Sequence, residues 1–154
     1  AFSSEVLVGI YYGKKNIVIL RRSILLCASW SALTAVIFSV VFLIFGNSLI
    51  EFMTNAEEVL KIAKDFQFLI ILAPLFSFPA YIMDGVFFGS THTSEMRKAM
   101  IFSTIIYFIL AVFLTSIFQN SGLWTALYVF LIIRAFTLIY YYPNIERSVS
   151  STKN

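Results

Sequence analysis

Three ionisable side chains, Glu5, Asp84 and Arg134, lie inside stretches of sequence that are otherwise almost wholly apolar. A charge at the centre of an apolar membrane helix costs roughly 2.5–3.5 kcal/mol, so such a residue usually faces a partner or a water-filled cavity. Desolvated carboxylates can take up and release protons, whereas a neighbouring arginine favours their charged form. The three residues could therefore couple or gate ion movement, form a structural ion-pair cluster, or reach separately to the lipid headgroups.

The amino-acid composition indicates which medium surrounds these charges. Of the 154 residues, 60% are hydrophobic and 12% are charged, and the mean hydropathy is +0.89. Soluble domains carry about 25% charged residues, so this apolar excess is too large for one globular core to hold. The net charge of +3 comes from sparse basic residues beside apolar runs, which is typical of membrane proteins and does not indicate a nucleic-acid partner. We therefore expect an all-α, polytopic transmembrane helix bundle embedded in the lipid bilayer.

The apolar runs and their interruptions predict where the spans lie. The run 23–50 has no charge, the run 66–90 has only Asp84, and the run 99–133 has none. A span needs roughly 20 apolar residues, so the last run must hold two helices, and the polar turn formers of the sequence QNSG separate them at 119–122. The predicted segments are the end of an earlier helix at 1–12 and transmembrane helices at 23–46, 57–90, 97–118 and 123–142.

The basic residues predict the orientation of these spans, because cytoplasmic segments of membrane proteins carry an excess of Lys and Arg. Alternate connecting segments hold eight basic residues against two. We expect the basic loop 13–22, the loop 91–98 and the tail 143–154 to be cytoplasmic, and the segments 47–56 and 119–122 to lie outside. The protein is thus predicted to be a multi-pass protein of the cytoplasmic (inner) membrane with a cytoplasmic C-terminus.

The three embedded charges are predicted to lie at a common depth. Counted from the cytoplasmic ends of their helices, Glu5 is seven residues inside, Asp84 six and Arg134 eight. At 1.5 Å per residue, each lies roughly 9–12 Å from the cytoplasmic end. We therefore hypothesise that Arg134 bridges Glu5 and Asp84, as an ion-coupling or gating cluster or as a purely structural one.

Four side chains of the predicted helix 57–90 are candidates for lining a substrate cavity: Phe76, Phe78, Tyr81 and Met83. Aromatic rings and methionine adapt to varied apolar ligands, although lipid contact and core packing use the same residue types.

The sequence holds no pattern that indicates an enzyme. It has no Ser/His/Asp set, no phosphate-cradling glycine loop and no metal-ligand spacing, and its single cysteine, Cys27, lies in an apolar run. We therefore expect no catalytic residues, no cofactor and no metal site. Pro74 and Pro79 predict kinks in their helix, and the GxxxG spacing of Gly85 and Gly89 predicts close helix packing.

Three segments of the sequence have a recognisable pattern: SSEVLVGIYYGKKN, LAPLFSFPAYIMDGVFFGSTHTSEMRKAMIFS and GLWTALYVFLIIRAFTL. They resemble, in this order, the region around the eighth helix, the tenth helix with the loop after it, and the last helix of the multidrug and toxic compound extrusion (MATE) family of transporters, in its DinF-like branch. The three segments occur in the family's order and with suitable spacing, and the match extends from residue 3 to residue 138, over nearly the whole chain.

This resemblance implies a transporter of twelve helices in two six-helix lobes, which exports drugs or toxic amphipathic compounds against a proton or sodium gradient. The chain would be the C-terminal portion, part of the second lobe, with the N-terminal lobe as its partner. One branch of the family has a cation-binding acid near the position of Ser77, where this sequence has none. Two alternatives stay open: a lipid-linked-oligosaccharide flippase of the same superfamily, and a truncated membrane protein that does not transport.

Overall fold

The computed structural model describes residues 2–53 and 57–151, and over those residues it is helical, without a strand. The helices are α1 (Phe2–Gly13), α2 (Ile17–Met53), α3 (Glu57–Gly89) and α4 (Thr93–Ser151). Each of α2, α3 and α4 contains a stretch that is long and apolar enough to cross a membrane. The expected all-α fold of membrane-spanning helices is thereby confirmed.

Helix α4 is folded back on itself at Gln119. Its 59 residues would reach about 88 Å if straight, far more than the hydrocarbon core of about 30 Å. Gln119 leaves the helical conformation with φ 50° and ψ −128°, and divides α4 into an N-terminal arm (93–118) and a C-terminal arm (120–151). The rings of Tyr107 and Phe130 lie 5.7 Å apart across the two arms. The break predicted at the polar turn sequence is therefore present.

Helix α2 and both arms of α4 are longer than the spans that hydropathy predicts, whereas α3 nearly coincides with its predicted span 57–90. Asn16 caps α2, since its Oδ1 accepts a hydrogen bond from the backbone N–H of Ile19 at 3.2 Å, and the helix starts directly afterwards. Hydropathy marks only the part of a helix that suits the hydrocarbon core, whereas backbone hydrogen bonding continues through polar residues. The observed helices extend beyond the predicted spans 23–46, 97–118 and 123–142. Only residues 14–16 of the predicted loop 13–22 lie outside helices, and the predicted loop 91–98 is replaced by a shorter one at 90–92.

The segment predicted as a tail, 143–154, is helical as far as Ser151. Pro143 removes one helical hydrogen bond, at a cost of about 3 kcal/mol in a helix interior. Ile145 and Val149 are 0% and 3% exposed, and full burial of such side chains contributes about 1.5–3 kcal/mol each. Burial of these two residues is therefore large enough to offset the proline and to continue the helix.

The buried core lies where the ends of α1 and α3 meet the start of α2 and both arms of α4. It consists of apolar side chains from all four helices: Val8, Leu20, Ile24, Ile82, Val86, Phe87, Met96, Ala99, Leu138, Ile145 and Val149. Away from this core, large apolar side chains such as Leu43 and Phe113 stay more than 60% exposed. An exposed apolar surface of this extent suits contact with lipid or with further membrane helices.

Neighbouring helices are hydrogen-bonded to α3 in the turn that precedes Pro74. Pro74 has no N–H to donate to the preceding turn. In that turn, the carbonyl of Ile71 accepts a hydrogen bond from Ser39 Oγ of α2 at 2.7 Å, and the carbonyl of Leu69 accepts one from the Tyr128 hydroxyl of α4. These bonds attach α2 and α4 to the proline-containing turn of α3.

Candidate functional site

A buried ion pair joins α3 to the C-terminal arm of α4. Arg134 Nη2 lies 2.9 Å from Asp84 Oδ2, and both side chains are 11% exposed. Both residues lie inside long apolar helices, where an isolated charge is costly. The pair therefore satisfies two charges that the apolar sequence around them could not stabilise separately.

The two charged groups of the pair differ in their further contacts. The guanidinium of Arg134 also lies 5.9 Å from the centre of the Phe130 ring, within the range of a cation–π contact. Asp84 Oδ1, in contrast, is buried and accepts no hydrogen bond from any residue that the structure describes. A buried carboxylate oxygen of this kind retains the capacity to take a proton or to bind a cation.

Glu5 lies on the wall of the same cavity but does not join the ion pair. A cavity of about 420 Å³ is lined by residues of α1, α3 and α4: Phe2, Glu5, Asp84, Gly85, Phe88, Met96, Met100 and Arg134. Across the described residues, no ion pair links Glu5 to Arg134. The predicted bridge from Arg134 to both carboxylates is therefore wrong for Glu5.

Helices α1 and α3 are in close backbone contact beside this cavity. A Cβ atom on Gly89 would collide with the backbone oxygen of Glu5 and would lie 3.0 Å from the backbone nitrogen of Gly9. This contact holds the backbones of α1 and α3 against each other next to the cavity. Two carboxylates and one arginine line the cavity, and among the described residues the arginine forms an ion pair with Asp84 alone. The coupling or gating role of the three residues stays a prediction.

The four candidate cavity residues do not line one cavity. Phe78 and Tyr81 line a cavity of about 440 Å³ between α2 and α3. Phe76 instead packs against Tyr128, with ring centres 5.0 Å apart, and Met83 lines a groove between α2, α3 and α4. A helix turns by about 100° per residue, so Phe76 and Met83 lie on the face opposite Phe78 and Tyr81. The helical spacing alone could have divided the four.

A polar face of α2 contributes residues that the sequence analysis did not select. Cys27, Trp30, Ser31 and Thr34 line a cavity of about 460 Å³ against α1, and Ser31 and Thr34 also line the cavity of Phe78 and Tyr81. The two cavities form one continuous surface, here called the α2 groove. Its signal is present in the sequence, because small polar residues recur there at spacings of three to four residues, on one face of a helix.

A second ion pair also escaped the sequence analysis. Arg21 and Glu146 form two hydrogen bonds, from Nε to Oε1 and from Nη2 to Oε2, both at 2.6 Å. This pair attaches the start of α2 to the part of α4 beyond Pro143. The two residues are 125 positions apart, and no local pattern relates them.

Comparison with known proteins adds evidence independent of this geometry. A sequence model of the protein family described as MatE matches residues 1–113. The chain is 32% identical, over 108 residues, to the DNA damage-inducible protein F of Escherichia coli (strain K12). The alignment covers 70% of this chain and 23% of that protein, so the chain spans less than a quarter of its relative's length. No solved structure matches the chain significantly.

Proposed function

Because this chain belongs to the MatE family of membrane transporters, in its DinF-like branch, we propose that it forms part of a secondary active exporter. The exporter carries drugs or toxic amphipathic compounds out of the cell and is driven by a proton or sodium gradient. The chain supplies the C-terminal portion, in the second lobe. It lies in the cytoplasmic membrane with its C-terminus inside, and the N-terminal lobe is its partner.

The observation that carries this proposal is the buried pair of Asp84 and Arg134 beside a cavity. Burying an ion pair contributes little to stability compared with apolar packing of the same volume. Ionisable residues are rare within membrane helices, and where they occur they commonly mark ion pathways or other functional sites. A pair that joins α3 to the C-terminal arm of α4 is therefore suited to hold one conformation of the bundle.

A cation that binds at Asp84 would weaken this attachment. A proton or a sodium ion on the carboxylate competes with Arg134 for the same negative charge. Its binding releases α3 from the C-terminal arm, and its loss restores the pair. Glu5, which lines the same cavity, supplies a second carboxylate that attracts the cation. In this scheme the three residues gate the movement of the helices in step with the ion.

The α2 groove is the proposed wall of the substrate pathway. It combines exposed aromatic rings, Trp30 and Tyr81, with the hydroxyl groups of Ser31 and Thr34. Small-molecule sites are typically apolar and aromatic with a few polar groups, which matches the two sides of an amphipathic compound. Phe78 belongs to this wall, whereas Phe76 and Met83 face other surfaces.

The proposed function is tested by export from cells that lack other drug pumps. Cells with the full-length protein should survive higher concentrations of an amphipathic toxic compound than cells without it. Asp84→Asn should remove most of this protection and Glu5→Gln part of it when the variants are compared at equal amounts of protein in the membrane. Glu51→Gln is the matched control, because Glu51 pairs with Lys64 in an exposed position outside the cavity.

Two results would contradict the proposal. If the unaltered full-length protein protects against none of the compounds, export is not its activity, and transfer of lipid-linked sugars becomes the next assay. If both Asp84→Asn and Glu5→Gln retain full protection, the cavity charges have only a packing role. If the full-length protein does export a compound, transport of that compound in proteoliposomes with an imposed pH gradient or sodium gradient identifies the coupling ion.

A further inference from the structure

A second groove, separate from the cavity of Asp84, opens on the surface of the helix bundle between α2, α3 and α4. Its volume is about 300 Å³, at the lower end of the range for small-molecule sites. The floor is apolar, and a charged and aromatic group closes one end. The lining residues are Arg21, Ile24, Leu25, Met83, Ile139, Tyr142 and Glu146.

The two ends of this groove have different chemistry at a short separation. Leu25 is one helical turn beyond Arg21 on α2, about 6 Å along the axis. Leu25 and Ile139 are 70% and 50% exposed, so the apolar part is open to the surroundings of the helices. A ligand that fits must carry a polar group and an apolar chain in direct succession.

The charged end can bind an anion although it already contains an ion pair. The pair with Glu146 uses the Nε and one Nη of Arg21, and the Arg21 side chain stays 59% exposed. A guanidinium has five N–H donors, so further donors face outward. Arginine binds phosphate groups well because its planar donors match their oxygens.

The charge around this end favours a negatively charged ligand. The sequence neighbours of the ion pair include several exposed basic residues: Lys14, Lys15, Arg22 and Arg147. Basic pockets between membrane helices, next to the cytoplasmic surface, recognise anionic lipid headgroups. Tyrosines such as Tyr142 are typical of the membrane–water interface.

We propose that this groove is a binding site for an anionic glycerophospholipid. The headgroup phosphate lies against Arg21 and Tyr142, and an acyl chain lies along Leu25, Met83 and Ile139. The site is occupied from the bilayer and does not depend on the export proposed above. Its ligand connects α2, α3 and the C-terminal arm of α4 at the end where Arg21 and Glu146 meet.

Binding is measured with the full-length protein in detergent and a fluorescently labelled phosphatidylglycerol as the probe. Unlabelled phosphatidylglycerol should displace the probe at lower concentration than phosphatidylcholine with the same acyl chains, and inorganic phosphate should not displace it. Equal displacement by phosphatidylcholine, displacement by phosphate alone, or no binding of the probe would each overturn the proposal. The last result would mean that another part of the protein covers the groove.

Charge variants separate lipid contact from a structural role of the ion pair. A basic residue near an anionic headgroup contributes about 1 kcal/mol, so Arg21→Gln should weaken binding about fivefold. Arg22→Gln, the matched control on the adjacent position outside the groove, should weaken it less. Glu146→Gln also breaks the ion pair but leaves the arginine, so binding should be retained or become tighter. Equal losses in Arg21→Gln and Arg22→Gln, or a loss in Glu146→Gln as large as that in Arg21→Gln, would refute the site.

Filling the apolar part of the groove provides a second test that leaves every charge in place. Leu25→Trp should weaken binding of the probe, because the larger ring occupies the space of the acyl chain. Leu33→Trp places the same ring on the exposed surface of α2 outside the groove and should leave binding unchanged. The same affinity in both variants would show that the acyl chain does not bind along Leu25.

Discussion

Neutralising the buried ion pair should destabilise the protein strongly when one charge is removed and far less when both are. Asp84 and Arg134 are 2.9 Å apart and 11% exposed, so removal of either partner leaves a buried charge without compensation. The cost of such a change is about 3–5 kcal/mol. Asp84→Asn should cost the upper end of this range, because the remaining arginine cannot release its proton, whereas a remaining carboxyl group can take one up.

The coupling between the two changes distinguishes a pair from two independent residues. If the residues acted independently, Asp84→Asn/Arg134→Gln would cost the sum of the single changes, about 6–10 kcal/mol. As a pair, the double variant leaves no lone charge and should cost no more than the costlier single variant. The coupling energy should therefore be at least the cost of the cheaper single variant, about 3 kcal/mol. Equilibrium unfolding of the full-length protein in mixed detergent micelles measures all four free energies.

The exposed ion pair of Lys64 and Glu51, which has the same length, provides the control. Lys64 Nζ and Glu51 Oε1 are also 2.9 Å apart, but their side chains are 44% and 56% exposed. Exposed pairs contribute about 0.2–1 kcal/mol, so this cycle should show a small coupling. Costs that add within about 0.5 kcal/mol at Asp84 and Arg134 would refute the reasoning. So would a charge-reversed variant, Asp84→Arg/Arg134→Asp, that recovers none of the stability lost in its single variants.

Two further predictions concern the contacts that position the helices. Gly89→Ala should destabilise the protein by about 1–3 kcal/mol, because the added methyl group collides with the backbone of α1; Gly13→Ala, which meets nothing within 4 Å, should be close to neutral in the same unfolding assay. Ser39→Ala should cost about 1 kcal/mol, because the carbonyl of Ile71 next to the proline turn loses its donor, whereas Ser29→Ala, which removes a bond within α2 at an exposed position, should cost less. Equal effects within either matched set would contradict the assigned contact.

Several parts of the fold could be predicted because they depend on local properties. The break at Gln119 was predictable, since an apolar run too long for one span contained only one cluster of polar turn formers. The ends of the helices were not. α4 continues past Pro143 because Ile145 and Val149 are buried against other helices, and that burial is absent from a local pattern.

The candidate site, too, could be predicted only in part. The high cost of a charge in an apolar helix indicated that Asp84 and Arg134 need partners, and the structure pairs them with each other. The same reasoning failed for Glu5, because counting residues from helix ends gives a depth but not the relative rotation of the helices, which decides whether a side chain can reach Arg134.

The sequence by itself determined that the chain is a set of membrane helices, where one of them folds back, and which charges need compensation. These properties follow from composition and spacing, because each residue's preference for lipid or water is intrinsic to it. Only the tertiary structure decided which charges meet, which face of α2 forms a groove, and that Arg21 reaches Glu146. Such choices depend on the relative shift and rotation of the helices. A few close contacts between residues distant in sequence set both.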